Sequence, residues 1–219
     1  MSLFLYYALP ALGSYAMLSI FFLRRPHLLH TPRAPNFRIR LGAHRGDPKP
    51  QGPTPVPPTG SGELLENTME AMENSMAQHS DLLELDCQLT RDRVVVVSHD
   101  ENLCRQSGLN RDVSSLDFED LPLYKEELEV YFSPGHFAHG TDRRMVRLED
   151  LFQRFPRTPM SVEIKGKNEE LIREIAGLVR RFDRNEITIW ASEKSSVMKK
   201  CKAAVSSSSP PPASIPFLL

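Results

Sequence analysis

The sequence predicts an α/β fold: a TIM-type (β/α) barrel that stops after about five strands, preceded by one N-terminal transmembrane helix. Three observations predict it. Segments of strand character alternate with segments of helical period, which implies right-handed βαβ units and a parallel sheet. The first four strands carry their ionisable residues at or near their C-terminal ends, where the active sites of barrels collect. Residues 3–23, "LFLYYALPALGSYAMLSIFFL", hold no charge and reach about 31 Å as a helix, enough for a hydrocarbon core.

The apolar segment is followed at once by Arg24 and Arg25, and nothing basic precedes it. A cleaved signal would want a basic start and small residues at the cut. Residues 1–24 therefore read as a retained single-pass membrane anchor, and residues 25–38 as a juxtamembrane linker. The arginines place the remainder on the cytoplasmic side. A net charge of −1 gives no reason to expect nucleic acid as a partner. Cys87, Cys104 and Cys201 are widely spaced with no C-x-x-C pair. They read as free thiols facing a reducing compartment.

Beyond the linker the elements follow in order. "FRIRLGAHRG" alternates and then turns apolar, as a strand entering a core does. Asn67 reads as an N-cap with Glu70 three residues on, a capping box opening the helix "TMEAMENSMAQHS". "DLLELDCQLT" is the second strand, and "RDRVVVVSHD" the third, too apolar to keep a wet face. Residues 102–146 lack periodicity and read as a long excursion. "RLEDLFQRF" is a short helix and "PMSVEIKG" a fourth, buried strand. "EELIREIAGLVRRF" sets Leu171, Ile172, Ile175, Leu178, Val179 and Phe182 on one face of an amphipathic helix. "EITIWASE" is the fifth strand, and a helix barely begins in "SSVMKKCKAA". Residues 203–219 are rich in Ser and Pro, cannot pack a core, and are expected to be a disordered tail.

The charged strand ends carry the chemistry. His44 and Arg45 end the first strand. Glu84 and Asp86 lie two apart on the second, so both side chains point the same way. His99 and Asp100 end the third, and Glu163 and Lys165, again two apart, end the fourth. Any one of these is commonplace, since a lone His-Arg-Gly or His-Asp is usually a capped turn. Around one barrel mouth the set has an economical use. Three carboxylates make a hard oxygen site suited to Mg²⁺ or Ca²⁺. Arg and Lys suit a phosphate, and two histidines can divide acid and base work near neutral pH. Together they describe metal-assisted phosphodiester cleavage.

With "HRG", "ENT", "ELD", "SHD", "RLEDLF" and "VEIKG" in this order, residues 39–202 resemble the glycerophosphodiester phosphodiesterase domain. Within that family the chain is similar to the membrane-anchored animal branch with lysophospholipase D activity. The resemblance implies a TIM-type barrel with an inserted excursion. It implies His44 and His99 as the acid/base pair, with no fixed division of labour. Glu84, Asp86 and Glu163 match metal ligands, Arg45 and Lys165 match phosphate contacts, and Glu66 and Asn67 match the motif that supports the first loop. The implied cofactor is a divalent cation, Mg²⁺ or Ca²⁺. The implied substrates are lysophospholipids or glycerophosphodiesters, at the endoplasmic reticulum membrane.

The chain departs from the family pattern in two places. Residues 47–60 hold six prolines in fourteen positions and read as an extended, solvated insertion in a loop that is usually short. Lengthening a flexible loop costs only about 0.6 kcal/mol per doubling, but this one lies beside Arg45. A complete barrel takes about 250 residues, more than follow the anchor, so the expectation is a truncated form with open sheet edges. Two rival readings accompany the enzyme: a catalytically inactive truncated form, and a membrane-tethered proline-rich adaptor. P-x-x-P occurs at Pro50–Pro53 and Pro55–Pro58 and fits an SH3-type partner, a spacing that proline-rich loops contain by default. In the excursion, His136 and His139 have metal-like spacing but read as loop residues, and Tyr131, Phe132 and Phe137 read as ordinary packing, with contact to an acyl chain as the alternative.

Overall fold

A computed structural model describes residues 3–29, 37–46, 64–131, 133–206 and 217–218. The proline-rich insertion, Phe132 and most of the expected tail lie outside the described residues. The chain divides into two compact units, Met1–Ala34 and Pro35–Leu219.

The first unit is α1 (Leu3–Arg24), followed by one 3₁₀ turn at Pro26–Leu28. Within it Tyr6–Arg24 is long and apolar enough to cross a membrane. Pro10 lies inside the helix and removes one backbone donor there. Tyr6 and Tyr7 stack edge to face at 5.2 Å, and at the other end Arg25 lies 5.2 Å from the Phe21 ring centre.

The second unit is built on a sheet of β1 (Gly42–His44), β2 (Leu82–Leu89), β3 (Val95–Val97), β6 (Val146–Arg147), β7 (Met160–Ile164), β8 (Thr188–Ala191) and β9 (Phe217–Leu218). A separate hairpin pairs β4 (Glu127–Glu129) with β5 (Phe137–His139). The sheet order is β6-β3-β2-β7-β8-β9, with β1 also paired to β2. The pairs β1/β2, β2/β7, β7/β8 and β8/β9 are parallel. The helices are α2 (Met69–Ala77), α3 (Cys104–Ser107), α4 (Leu148–Arg154), α5 (Glu169–Arg181) and α6 (Ser195–Ser206).

Three sequence expectations are corrected. The third strand is not another parallel barrel strand, because β3 runs antiparallel to β2. Only residues 90–94 separate the two, while a parallel crossover needs a dozen or more. Thr90 closes this turn, accepting from Val94 N at 2.9 Å, and Arg93 adopts a φ of 65°. Helix α2 is capped by Thr68 rather than Asn67: Thr68 Oγ1 accepts from Ala71 N at 3.2 Å. Glu70 instead binds the excursion, accepting from the backbone of Thr141 and Asp142, each at 2.9 Å. Finally, α6 is a full helix through Ser206, three turns long rather than barely begun. It continues past residue 203 because Val197, Met198, Cys201 and Val205 form one buried stripe. Phe217–Leu218, at the end of the expected tail, pair as a strand with β8.

The main core lies between the sheet and its helices. From α5 it takes Leu171, Ile172, Ile175, Ala176 and Val179, with Leu178 and Phe182 packed at its edge. These are the periodic positions of the amphipathic pattern. From the sheet it takes Leu83, Leu85, Val162 and Trp190. The excursion has a core of its own, in which Leu103, Val113, Tyr124, Leu128, Val130 and Met145 pack with Leu65 and Val96. All three cysteines are free thiols.

Candidate active site

His44 ends β1, where the parallel register places it beside Glu84. The chain then turns sharply out of the sheet: Arg45 has φ 54° and Gly46 φ 81°. A Cβ at Gly46 would come within 2.9 Å of Met72 Sδ and 3.0 Å of Met72 N, so glycine lets this loop lie directly on α2. Ser75 of α2 fastens it, donating its hydroxyl to Gly46 O at 2.6 Å. From the far side of the loop Asn67 N donates to Arg45 O at 2.9 Å. Asn67 itself is left-handed at φ 59° and fully buried. Its Nδ2 donates to Asp86 Oδ2 at 3.1 Å.

The alternation of β2 aims Glu84 and Asp86 to the same face, and the register of β7 sets Glu163 opposite Asp86. Oxygens of Glu84, Asp86 and Glu163 lie within 4.8 Å of one another. Glu84 accepts from Arg45 N at 3.1 Å and lies 4.0 Å from His44 Nε2. Burial, and next the Asp86 charge, push the Glu84 carboxyl up to about 8. A buried carboxyl that resists ionising beside two others is short of positive charge. These hard oxygen donors fit Mg²⁺ or Ca²⁺.

Two cations already answer the cluster. Lys165 Nζ lies 2.8 Å from Glu163 Oε1 and 3.0 Å from Asp86 Oδ1. Burial opposes its charge, but the two carboxylates raise its pKa above the ordinary value. Arg45, also buried, donates from Nη1 to Glu66 Oε2 at 3.1 Å. Its Nε lies 3.1 Å from Asp86 Oδ2 but makes no hydrogen bond, so this contact is ionic only. Burial, and then the Arg45 guanidinium, hold the half-exposed His44 below the ordinary imidazole value.

His99 arrives by a route that sequence alternation does not reveal. β2 continues past the carboxylates to Leu89, and β3 folds back along it until Ser98 N donates to Asp86 O at 2.9 Å. The next residue is His99, now level with the carboxylates. Its Nδ1 is 2.6 Å from Asp100 Oδ1, which leaves Nε2 as the working nitrogen. Arg105 of α3 donates from Nε to Asp100 Oδ2 at 2.6 Å, and its Nη2 also pairs with Glu66. Burial would raise Asp100, but the hydrogen bonds from His99 and Arg105 bring it down to about 2.

All nine residues singled out in the sequence (His44, Arg45, Glu66, Asn67, Glu84, Asp86, His99, Glu163 and Lys165) lie in one connected cluster. His99 joins it through Asp100 and Arg105. Two further members are not legible as site residues in the sequence. Asp100 reads there only as a strand-end charge, and Arg105 carries no local signal, because its partner Glu66 is 39 residues away. Tyr131 reads in the sequence as ordinary packing, with acyl contact as the alternative. It is instead 64% exposed, its ring centre 5.5 Å from that of His99, 5.8 Å from Arg45 Cζ and 6.0 Å from Arg105 Cζ.

Known proteins share this architecture. The model of the glycerophosphoryl diester phosphodiesterase family matches residues 44–210. Lysophospholipase D GDPD3 of Homo sapiens is 90% identical over 204 residues, which cover 93% of this chain and 60% of that protein. Lysophospholipase D GDPD3 of Mus musculus is 74% identical over 200 residues, covering 91% of this chain and 57% of its own. The chain thus spans three fifths or less of the length of these curated relatives. A crystal structure of a glycerophosphoryl diester phosphodiesterase homologue from Silicibacter pomeroyi superposes with a TM-score of 0.60 at 19% identity, over 78% of this chain and 63% of that one. The fold is that of this TIM-type barrel family.

Proposed function

Because the chain belongs to the glycerophosphoryl diester phosphodiesterase family, we propose that it hydrolyses lysophospholipids or glycerophosphodiesters with a divalent cation, releasing the head-group alcohol. The observation that carries the reading is the clustering of Glu84, Asp86 and Glu163 with Arg45 and Lys165, beside His44 and linked through Glu66, Arg105 and Asp100 to His99. Glu84, Asp86 and Glu163 would hold the ion, whose bound charge would act on phosphoryl oxygens as a Lewis acid. The names of the 90% and 74% identical relatives support lysophospholipase D chemistry.

The chain's own residues divide the remaining work. Arg45 and Lys165 supply fixed positive charge where a phosphate's charge grows. His44 is kept neutral near pH 7 by burial and by Arg45, which suits a base that takes a proton from the attacking hydroxyl. His99 is oriented through Nδ1 by Asp100, so its Nε2 can protonate the departing oxygen. The attacking group is the substrate's own glycerol hydroxyl beside the phosphorylated carbon: its oxygen bonds phosphorus as the head-group oxygen leaves with a proton, and water then opens the resulting cyclic phosphodiester to complete the hydrolysis. An internal nucleophile of this kind gains an effective concentration of about 10⁵ M or more when well oriented.

The uncharged helix and its following arginines support a retained membrane anchor with the remainder of the chain on the cytoplasmic side. Carbonate-resistant sedimentation with membranes is expected, and a soluble chain beginning after residue 23 would overturn the anchor. The test of the reaction is choline release from a 1-acyl lysophosphatidylcholine by the full chain, with Mg²⁺, with Ca²⁺ and with chelator. Release that depends on the ion supports the reading. No release by a folded chain in either ion sinks it. A 2-deoxy analogue cleaved as fast as its parent would replace the internal hydroxyl by water.

A further inference from the structure

We infer that Tyr131 is a substrate-contacting residue that selects acyl-bearing lysophospholipids over acyl-free glycerophosphodiesters. The inference rests on the phosphodiesterase reading above and names a specificity element within it.

The hairpin that carries Tyr131 is rooted. Leu128, Val130 and Ala138 are buried in the excursion's own core, and Val130 N donates to His136 O at 2.9 Å across the turn. A rooted hairpin has no packing need for an exposed aromatic at its tip, yet Tyr131 stands 64% exposed. Its ring lies over three site residues at once: His99, Arg45 and Arg105. Whatever His99 Nε2 serves must sit within about 3 Å of that nitrogen. It therefore passes within reach of the Tyr131 ring.

The chemistry of the contacted group follows from the charges. Two guanidinium groups already lie near this ring, at 5.8 and 6.0 Å. Both guanidiniums are ion-paired with carboxylates and already engage the ring's electrons, so a cationic head group placed there would have to share that ring with them. Uncharged carbon meets no such competition and gains by covering exposed ring surface. The partner of Tyr131 is therefore the acyl-bearing end of the glycerol and the first methylenes of the chain, a part that a glycerophosphodiester lacks.

The experiment compares lysophosphatidylcholine, kept below its micelle concentration, with glycerophosphocholine, on the full chain. The ratio of their kcat/KM values is expected to fall about tenfold in Tyr131→Ala, the worth of one to two buried methylene groups. Most of the change should lie in KM for the lysolipid. Tyr131→Phe is expected to keep the wild-type ratio. An unchanged ratio in Tyr131→Ala, or an equal loss in Tyr131→Phe, overturns the inference, the first because the ring then only covers the arginines. A readout free of turnover separates this from the parent reading. The native Trp190 is fully buried, so the indole introduced by Tyr131→Trp reports the rim. Its emission should shift to the blue with the lysolipid and stay unmoved by glycerophosphocholine. Absence of that difference overturns the contact. A shift without turnover of either substrate supports the contact and overturns the hydrolytic reading instead.

Discussion

Lys165 Nζ lies 3.0 Å from Asp86 Oδ1 although Asp86 sits within β2 and Lys165 just past the end of β7, because the β2/β7 register puts Glu163 beside Asp86 and Lys165 follows two residues later. The ammonium is the local counter-ion of two carboxylates. Lys165→Met should therefore destabilise the chain in chelator by about 2 kcal/mol, the scale of a hydrogen bond between charged groups. Mg²⁺ or Ca²⁺ should restore more of the lost melting temperature than it adds to wild type. An equal ion response in both proteins would separate Lys165 from the carboxylate cluster.

The raised Glu84 carboxyl predicts a pH dependence of stability. Its folded value of about 8 exceeds its ordinary 4.5, so the folded chain binds the proton more tightly than the unfolded chain. Stability contributed by this group is present in full below about pH 4.5 and falls as pH rises to about 8. Thermal melts in chelator should decline across that window, and saturating divalent ion should flatten the decline. Melts in chelator that are level from pH 5 to 8 would count against the buried, uncompensated carboxyl.

Asp86→Asn and Glu163→Gln each delete a charged oxygen while nearly keeping volume. Both should lower kcat/KM at least about 100-fold with unchanged circular dichroism. Calorimetric titration should show weakened ion binding in parallel. Full activity of both variants in chelator would remove the ion from the mechanism.

Asp100 fixes His99 by accepting at Nδ1. Asp100→Asn would present a neutral amide and lose the charged partner that Arg105 also needs. Its kcat should fall about 100-fold or more, with KM changed far less. Turnover close to wild type would mean that His99 needs no orienting carboxylate.

Arg184 is fully buried and pairs with no carboxylate among the described residues, and burial pulls its pKa down to about 10. It donates to Phe155 O at 2.8 Å, Pro156 O at 3.0 Å and to Thr158 O, and lies 4.5 Å over the Phe152 ring. It thus closes the C-terminal end of α4 and the turn into β7. Arg184→Met strands three carbonyls and should cost about 3 kcal/mol in urea unfolding. A loss under about 0.5 kcal/mol would show that solvent replaces those donors.

Much of the site could be read from local spacing. Side chains two apart on a strand share a face, so Glu84 with Asp86 and Glu163 with Lys165 were legible as pairs. The amphipathic period of α5 and the uncharged run of α1 were legible for the same reason: each pattern repeats within a few residues. The direction of β3 could have been inferred from its short connection to β2, but the β-branched run hid it, because a buried strand looks alike in either direction.

The sequence by itself determined the family, the identity of nine candidate site residues and an apolar helix long enough for a membrane, since these rest on residue type and short-range order. Only the tertiary structure decided that His99 reaches the carboxylates by a hairpin returning along β2. It alone decided that Arg105 joins Asp100 to Glu66, and that Tyr131 stands over the site rather than inside a core. These relationships link residues tens of positions apart through the register of the sheet and the packing of the excursion. No local pattern encodes them, because each depends on where two separately folded segments come to rest against one another.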